Sequence, residues 1–162
     1  LPHPALSNGE GSKKVHTFED ILNLRAFIND TMSGETDITA LLKTMSPKLN
    51  EGEYVFCTTP VSEAIDYKNI IGSFKEKEGL TVILEKGIAD KLNLSYTYVS
   101  VWITLTVHSS LEAVGLTAAF STALASNGIS CNVIAAYYHD HIFVSQKDAT
   151  KAIQVLEQLV HE

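Results

Sequence analysis

The chain has 162 residues, with 12 Lys+Arg against 19 Asp+Glu for a formal charge of −7, a hydrophobic fraction of 45% and a charged fraction of 19%. That composition excludes a disordered or collagen-like chain, and the length is enough for one core, or two small fused ones, without metal or disulfide staples. The charge is unevenly placed: between Leu92 and His139, Glu112 is the only formally charged residue.

Residues 1–31 open with LPHPALSNGEGSKK, which offers little to bury and reads as a flexible lead. Thr17 with Asp20 imitates a capping box ahead of a short amphipathic helix, with Phe18, Ile21, Leu22, Arg25 and Ile28 on one side. Met32 reads as a start position, which would make residues 1–31 an appendage. Asp37 is the expected N-cap of a helix over ITALLKTM, stopped by Pro47.

Tyr54–Thr58 is a compact strand. Ile70–Lys75 and Leu80–Glu85 read as two more strands, joined by a turn at Glu76–Gly79, and a short helix is expected from Gly87 to Leu92. The strongest pattern runs from Tyr96 to His108. Thr97, Val99, Val101, Ile103, Leu105 and Val107 alternate with a semi-polar set that includes Tyr96, Tyr98, Ser100, Trp102 and Thr104, as in a strand with one buried face. Ala113–Asn127 then turns helical and stops at Gly128. Its large side chains Val114, Leu116, Phe120 and Leu124 form a sheet-facing stripe. Its other side, Ala118, Ser121, Thr122 and Ala125, is small and uncharged, as suits a face covered by another unit or a second subunit. Cys131–Tyr138 is expected to be a strand, His139-Asp140 a turn and His141–Val144 its partner strand. A last helix runs from about Asp148 to Val160, with Ser145 and Asp148 at capping-box spacing.

From Val99 the order is strand, helix, strand, strand, helix, a split βαβ unit lacking one strand. From Ile70 it is strand, strand, helix, strand. Two interlaced units in one sheet follow, with Tyr54–Thr58 supplying the edge that the C-terminal unit lacks. The domain reading is 1–31 lead, 32–95 first unit and 96–162 second unit.

The turn His108-Ser109-Ser110-Leu111-Glu112-Ala113-Val114-Gly115 joins a strand end to a helix N-terminus, where unpaired amides and the helix dipole favour a carboxylate or phosphate. Glu112 suits a ligand amine; equally, it suits a cap partner for Ser109. His139 and His141, with Asp140 and His108, form a second candidate, a metal site, although no third ligand has diagnostic spacing. Cys57 and Cys131 lack CxxC spacing and read as small core residues, and no nucleophile signature surrounds Ser109 or Ser110. Tyr96, Tyr98 and Trp102 recur at an even spacing with no basic groups among them, which favours packing over nucleic-acid stacking. No apolar run reaches the length of a membrane span, and an acidic balance without Lys/Arg clusters argues against nucleic acid or anionic membrane as partner.

The run ITLTVHSSLEAVGLTAAFSTALASNGISCNVIAAYYHDHIFVS resembles an ACT domain. With MSPKLNEGEYVFCTTP and EKEGLTVILEKG, the stretch from Met32 to Val160 is similar to small bacterial proteins built from two ACT domains. VGLTAAFSTALASNGISCNVIA is similar to the regulatory part of aspartate kinases, and the tandem arrangement is similar to that of cytosolic arginine sensors. The resemblance implies an α+β fold of two interlaced ferredoxin-like units, with an antiparallel sheet covered by helices on one face. It also implies a non-catalytic regulatory protein that binds a small molecule, an amino acid first of all, between paired units; a reduced, cytoplasmic setting is what Cys57 and Cys131, in apolar runs without CxxC spacing, point to. The family's ligand loop falls on Ser109, Ser110, Leu111, Glu112, Ala113, Val114 and Gly115, and the following strand adds Asn132, Val133 and Ile134. Asn132 offers a donor and an acceptor together. No cofactor is indicated. A homodimer or higher oligomer and a separate effector protein are the implied partners, and the alternatives are an interaction module with an empty pocket or the His139/His141 metal site.

Overall fold

The structure, a computed structural model, describes residues 35–60, 65–107 and 112–160. The lead and its Thr17 helix, Met32, and the loop residues His108, Ser109, Ser110 and Leu111 lie outside the described residues. The described residues belong to one unit, Gly34–Glu162.

Helix α1 (Ile38–Thr44) starts where expected, because the Asp37 carboxylate accepts from the amides of Thr39 and Ala40 at 2.8 and 2.9 Å. Pro47 ends it by disfavouring helical geometry at Ser46, and the chain passes directly into strand β1 (Pro47–Leu49), which the sequence pattern did not reveal. Three residues carry no readable periodicity, and β1 exists because the edge of a central strand, β5 (Val99–Leu105), is open to it. Strand β2 (Tyr54–Thr59) rejoins the same edge for only two residues, Tyr54 opposite Ser100 and Val55 opposite Val99. Between them Asn50 stays bound to β5: its amide donates to Trp102 O at 2.8 Å, and its side chain to Trp102 O at 3.2 Å and Thr104 Oγ1 at 2.9 Å. The edge of the C-terminal unit is therefore supplied by β1 and the first residues of β2, not by Tyr54–Thr58 as a whole.

Beyond Val55, β2 continues along β4 (Leu80–Glu85), which pairs in turn with β3 (Gly72–Lys75). Helix α2 (Lys86–Lys91) follows β4. After β5 come α3 (Leu116–Ser126), the hairpin β6 (Cys131–Ala135) and β7 (Asp140–Ser145), a 3-10 turn at Gln146–Asp148, and α4 (Ala149–Leu159). All pairings are antiparallel, in the order β3-β4-β2-β5-β7-β6, with β1 beside β5.

Several boundaries differ from the sequence reading; the strand expected over Ile70–Lys75 is Gly72–Lys75 and the one expected over Tyr96–His108 is Val99–Leu105. Gly115 takes φ 106 as the N-cap of α3, so the helix begins at Leu116 rather than Ala113, and Val114 falls off the buried stripe to 84% exposure. In the β6–β7 hairpin the turn is Tyr137-Tyr138, closed by the Ala136 amide on His139 O at 3.1 Å; Asp140 is already in β7, opposite Ala135. The 3-10 turn displaces the start of α4 by a residue, and neither Ser145 nor Asp148 makes a side-chain cap bond. The C-terminus of α3 ends as expected: Gly128 at φ 73 directs its own amide to Ala125 O and that of Ile129 to Leu124 O.

The helices occupy one face of the sheet. Leu41 of α1, Leu116, Phe120 and Leu124 of α3, and Ala152, Val155 and Leu156 of α4 share a core with Val101, Ile103, Leu105, Ile142 and Val144. A smaller cluster sets Ala89 of α2 against Val55, Cys57, Val82 and Leu84. Residues 38–45 thus precede the first unit's strands in the chain yet pack with the second unit's, which makes the two units interlaced.

Candidate functional site

Two places carry side chains worth testing for function. The first is the entry to α3, where the expected ligand loop ends. Gly115 has no Cβ to strain its left-handed φ, and one added there would lie 3.7 Å from Ile38 Cγ1. Gly115, the N-cap residue of α3, offers no side-chain cap, and Glu112, Val114 and Gly115 are exposed beside it, with Ala113 half-buried against the core. On the outer side of α3, Ala118, Thr122 and Ala125 are exposed and Ser121 is half-buried.

The strand residues expected to join this loop separate. Asn132 is exposed near the start of β6, next to the C-terminal end of α3, whereas Gly115 is at the other end of a helix roughly 16 Å long. Val133 packs in the helix-side core. Ile134, one position on, alternates to the opposite face of the sheet. One chain therefore brings Glu112, Val114 and Gly115 together, and not Asn132 or Ile134 with them.

The second place is that opposite face, where Ile134 points. Register puts Tyr54, Phe56, Ile83, Trp102 and Phe143 on it, and Tyr54, Ile83 and Phe143 are 4%, 0% and 1% exposed although, among the described residues, their cluster contains no helix residue. Among the described residues, curling of the sheet brings its two edges together around them. Strands β3 and β6 end the order, five strand spacings or roughly 24 Å apart in a flat sheet. Yet a Cβ built on Gly72 of β3 would sit 4.0 Å from Ile134 Cδ1 of β6. The rings close edge to face, Phe56 on Phe143 at 5.2 Å and Tyr54 on Trp102 at 5.4 Å between centroids.

Where the two edges approach, a cavity of about 260 Å³ remains. Ile71 and Gly72 form one wall, Ile134 and Ala136 the other, and Trp102, His141 and Phe143 stand behind them. Its polar groups are ordered by a short chain of bonds. Trp102 Nε1–H donates to His141 Nδ1 at 3.1 Å, and Thr104 Oγ1, which already accepts from Asn50, lies 3.2 Å from the same nitrogen. An indole nitrogen can only donate, so Nδ1 is an acceptor and the neutral ring carries its proton on Nε2. Burial, and then the neighbouring His139, push the His141 pKa below the usual histidine range.

Among the described residues, His139, Asp140 and His141 are not gathered around a metal; His108, the fourth member of that candidate, lies outside them. His139 Nδ1 lies 3.2 Å from Val107 O, His141 Nδ1 is held by Trp102, and Asp140 between them is 6% exposed with its pKa raised by burial. Among the described residues no group of three or more His, Cys, Asp or Glu side chains is placed to hold a metal. Tyr96, half-buried, donates to Asp90 at 2.7 Å and packs with the α2 cluster, away from Trp102. The role of Trp102 was not legible from its spacing to Tyr96 and Tyr98. The readable signal is that Trp102 and Phe143 lie opposite each other, with Thr104 and His141 one step on, which only the register supplies.

Among the described residues no helix is long and apolar enough to cross a membrane. No curated protein matches the sequence. A solved structure of a Vibrio cholerae protein of unknown function, described as a possible transport protein, is 51% identical, covering 76% of this chain and 95% of that one with a TM-score of 0.67. An Agrobacterium tumefaciens protein is 19% identical over 72% of this chain and 89% of its own, at TM-score 0.56. The ligand-free regulatory subunit of aspartate kinase from Thermus thermophilus is 10% identical over 70% and 95%, at TM-score 0.52, and shares the fold. Sequence models of the ACT domain match residues 33–101 and 97–158, so the two matches meet on β5, the strand the interlaced units share. The chain belongs to the ACT domain family and carries two ACT domains in tandem.

Proposed function

We propose that this chain is a regulatory, non-catalytic protein that binds a small molecule, an amino acid, between paired ACT units and passes the change to a separate effector protein. The observation that carries the reading is the start of α3: an exposed helix entry opened by the left-handed Gly115, an N-cap residue with no side chain of its own, and flanked by Glu112. Backbone amides there suit a carboxylate, and Glu112 suits an ammonium group. Asn132 lies too far along the chain to complete that site by itself, so in this reading it comes from a second copy. The uncharged outer side of α3 supports such pairing. A homodimer or higher oligomer in the cytoplasm is the working form.

A thermal-shift screen against the twenty amino acids, run beside light-scattering mass measurement, tests it. One amino acid should raise the midpoint with concentration, equivalent to about 2.7 kcal/mol at a hundredfold excess over Kd. Glu112→Gln and Asn132→Ala should each weaken that response, and the binding form should be a dimer or larger. Absence of any shift, or a response from a strict monomer, overturns the reading and favours an interaction module with an empty pocket.

A further inference from the structure

We propose that the cavity between the two sheet edges is a second binding site, for a neutral one-ring molecule bearing a hydrogen-bond acceptor. It lies on the face opposite α3 and is separate from the amino-acid site proposed above.

Size sets the first limit. An apolar cavity of roughly 150 Å³ holds a benzene ring, and this one, at about 260 Å³, has room for a ring and a short substituent. Chemistry sets the second. Its described walls are aliphatic and aromatic, and among the described lining residues His141 is the only one with a titratable side chain. A zwitterion, carboxylate or ammonium would leave water with no opposite charge to meet. His141 sets the third. Its Nδ1 is consumed by Trp102, and with the ring held neutral by burial its one remaining polar atom is Nε2–H, a donor. A ligand carbonyl is the complement. Gly72 keeps the space open, since even a Cβ there would come within 3.3 Å of Ile83 Cδ1.

The chain's single tryptophan, Trp102, lines the cavity and reports on it directly. Titration of the full chain with 2-phenylacetamide should change the tryptophan emission saturably. Phenylacetate and phenethylamine, which keep the ring and add a charge, should bind at least roughly tenfold more weakly. Gly72→Val and Ile134→Phe, which fill the space, should abolish the amide response and leave any amino-acid thermal shift in place. Equal binding of all three probes, no saturable response at millimolar amide, or amide binding that survives both filling variants would overturn the site. Because the probe series is read on the unaltered chain, the outcome stands even where a variant folds poorly.

Discussion

The two faces of the sheet are buried by different means. The helix side is aliphatic: Ile103, Leu105, Ile142 and Val144 lie under Phe120 and Leu124 of α3 and Leu156 of α4, all at 0% exposure. Among the described residues the other face has no helix residue in its cluster and is aromatic, with Tyr54, Phe56, Trp102 and Phe143 closing over one another as the sheet curls. It also holds polar groups bonded across strands: Ser100 Oγ donates to Tyr54 O at 2.8 Å, and Thr104 is bonded to Asn50. Helices exclude water by covering a surface, and their packing demands close aliphatic contact. Curling excludes water by bringing distant strands together, which works with large rings and leaves a residual cavity where the edges do not meet.

Removing one ring from each face is the most severe way to break this comparison. Phe120→Ala and Phe143→Ala, at 0% and 1% exposure, should each cost about 3–5 kcal/mol in urea unfolding. Only Phe143→Ala should alter the emission of Trp102, whose ring stacks on Phe143 at 6.2 Å. Equal effects of the two on that emission would deny that the faces are separate.

Exchanging polarity between neighbours on β5 is a gentler change. Ile103→Thr places a hydroxyl in the helix-side core and should cost about 2–3 kcal/mol, whereas Thr104→Val removes bonds to Asn50 and His141 for about 0.5–1.5 kcal/mol. A reversed order in denaturant midpoints would show the curled face to be the more exacting one.

Acid titration has the smallest effect and separates the faces by sign. The folded-state pKa of His141 is lowered, first by burial, so its contribution is full above about pH 6.5 and is lost as the pH falls through the lowered value, because the unfolded chain takes the proton first. Asp140, on the helix face of β7, is raised by burial and has the opposite sign: the folded state takes its proton first, and its ionised form costs stability at neutral pH. His141→Phe should flatten the fall in thermal midpoint below about pH 6.5, and Asp140→Asn should raise the midpoint at pH 7. A His141→Phe chain with an unchanged acid profile would mean that the cavity histidine titrates as if in solvent.

Much of the fold was legible because its signals are local. Asp37 caps α1 by reaching two residues along the chain, Gly128 ends α3 by its own φ, and the alternation of Val101, Ile103 and Leu105 names the helix-facing side of β5. The same alternation labelled Ser100, Trp102 and Thr104 semi-polar, and it missed that Ser100 and Thr104 are 0% and 8% exposed, because parity tells which residues share a face and not whether that face is covered. The start of α3 was misplaced because Ala113 and Val114 fit a helix, while Gly115 adopts a conformation that begins one.

The stretch from Leu92 to His139, charged only at Glu112, shows the same division. From the sequence alone follow the order of the elements other than β1, the interlacing of two units and a buried side for β5, since each depends on short-range pattern and on turn chemistry. Only the tertiary structure decided that β1 fills the edge of β5, that Asn132 and Gly115 lie at opposite ends of α3, and that Gly72 meets Ile134 over a cavity backed by Trp102 and His141. Those contacts join residues tens of positions apart, and they depend on strand register and on the curl summed over six strands, neither of which any local run of residues encodes.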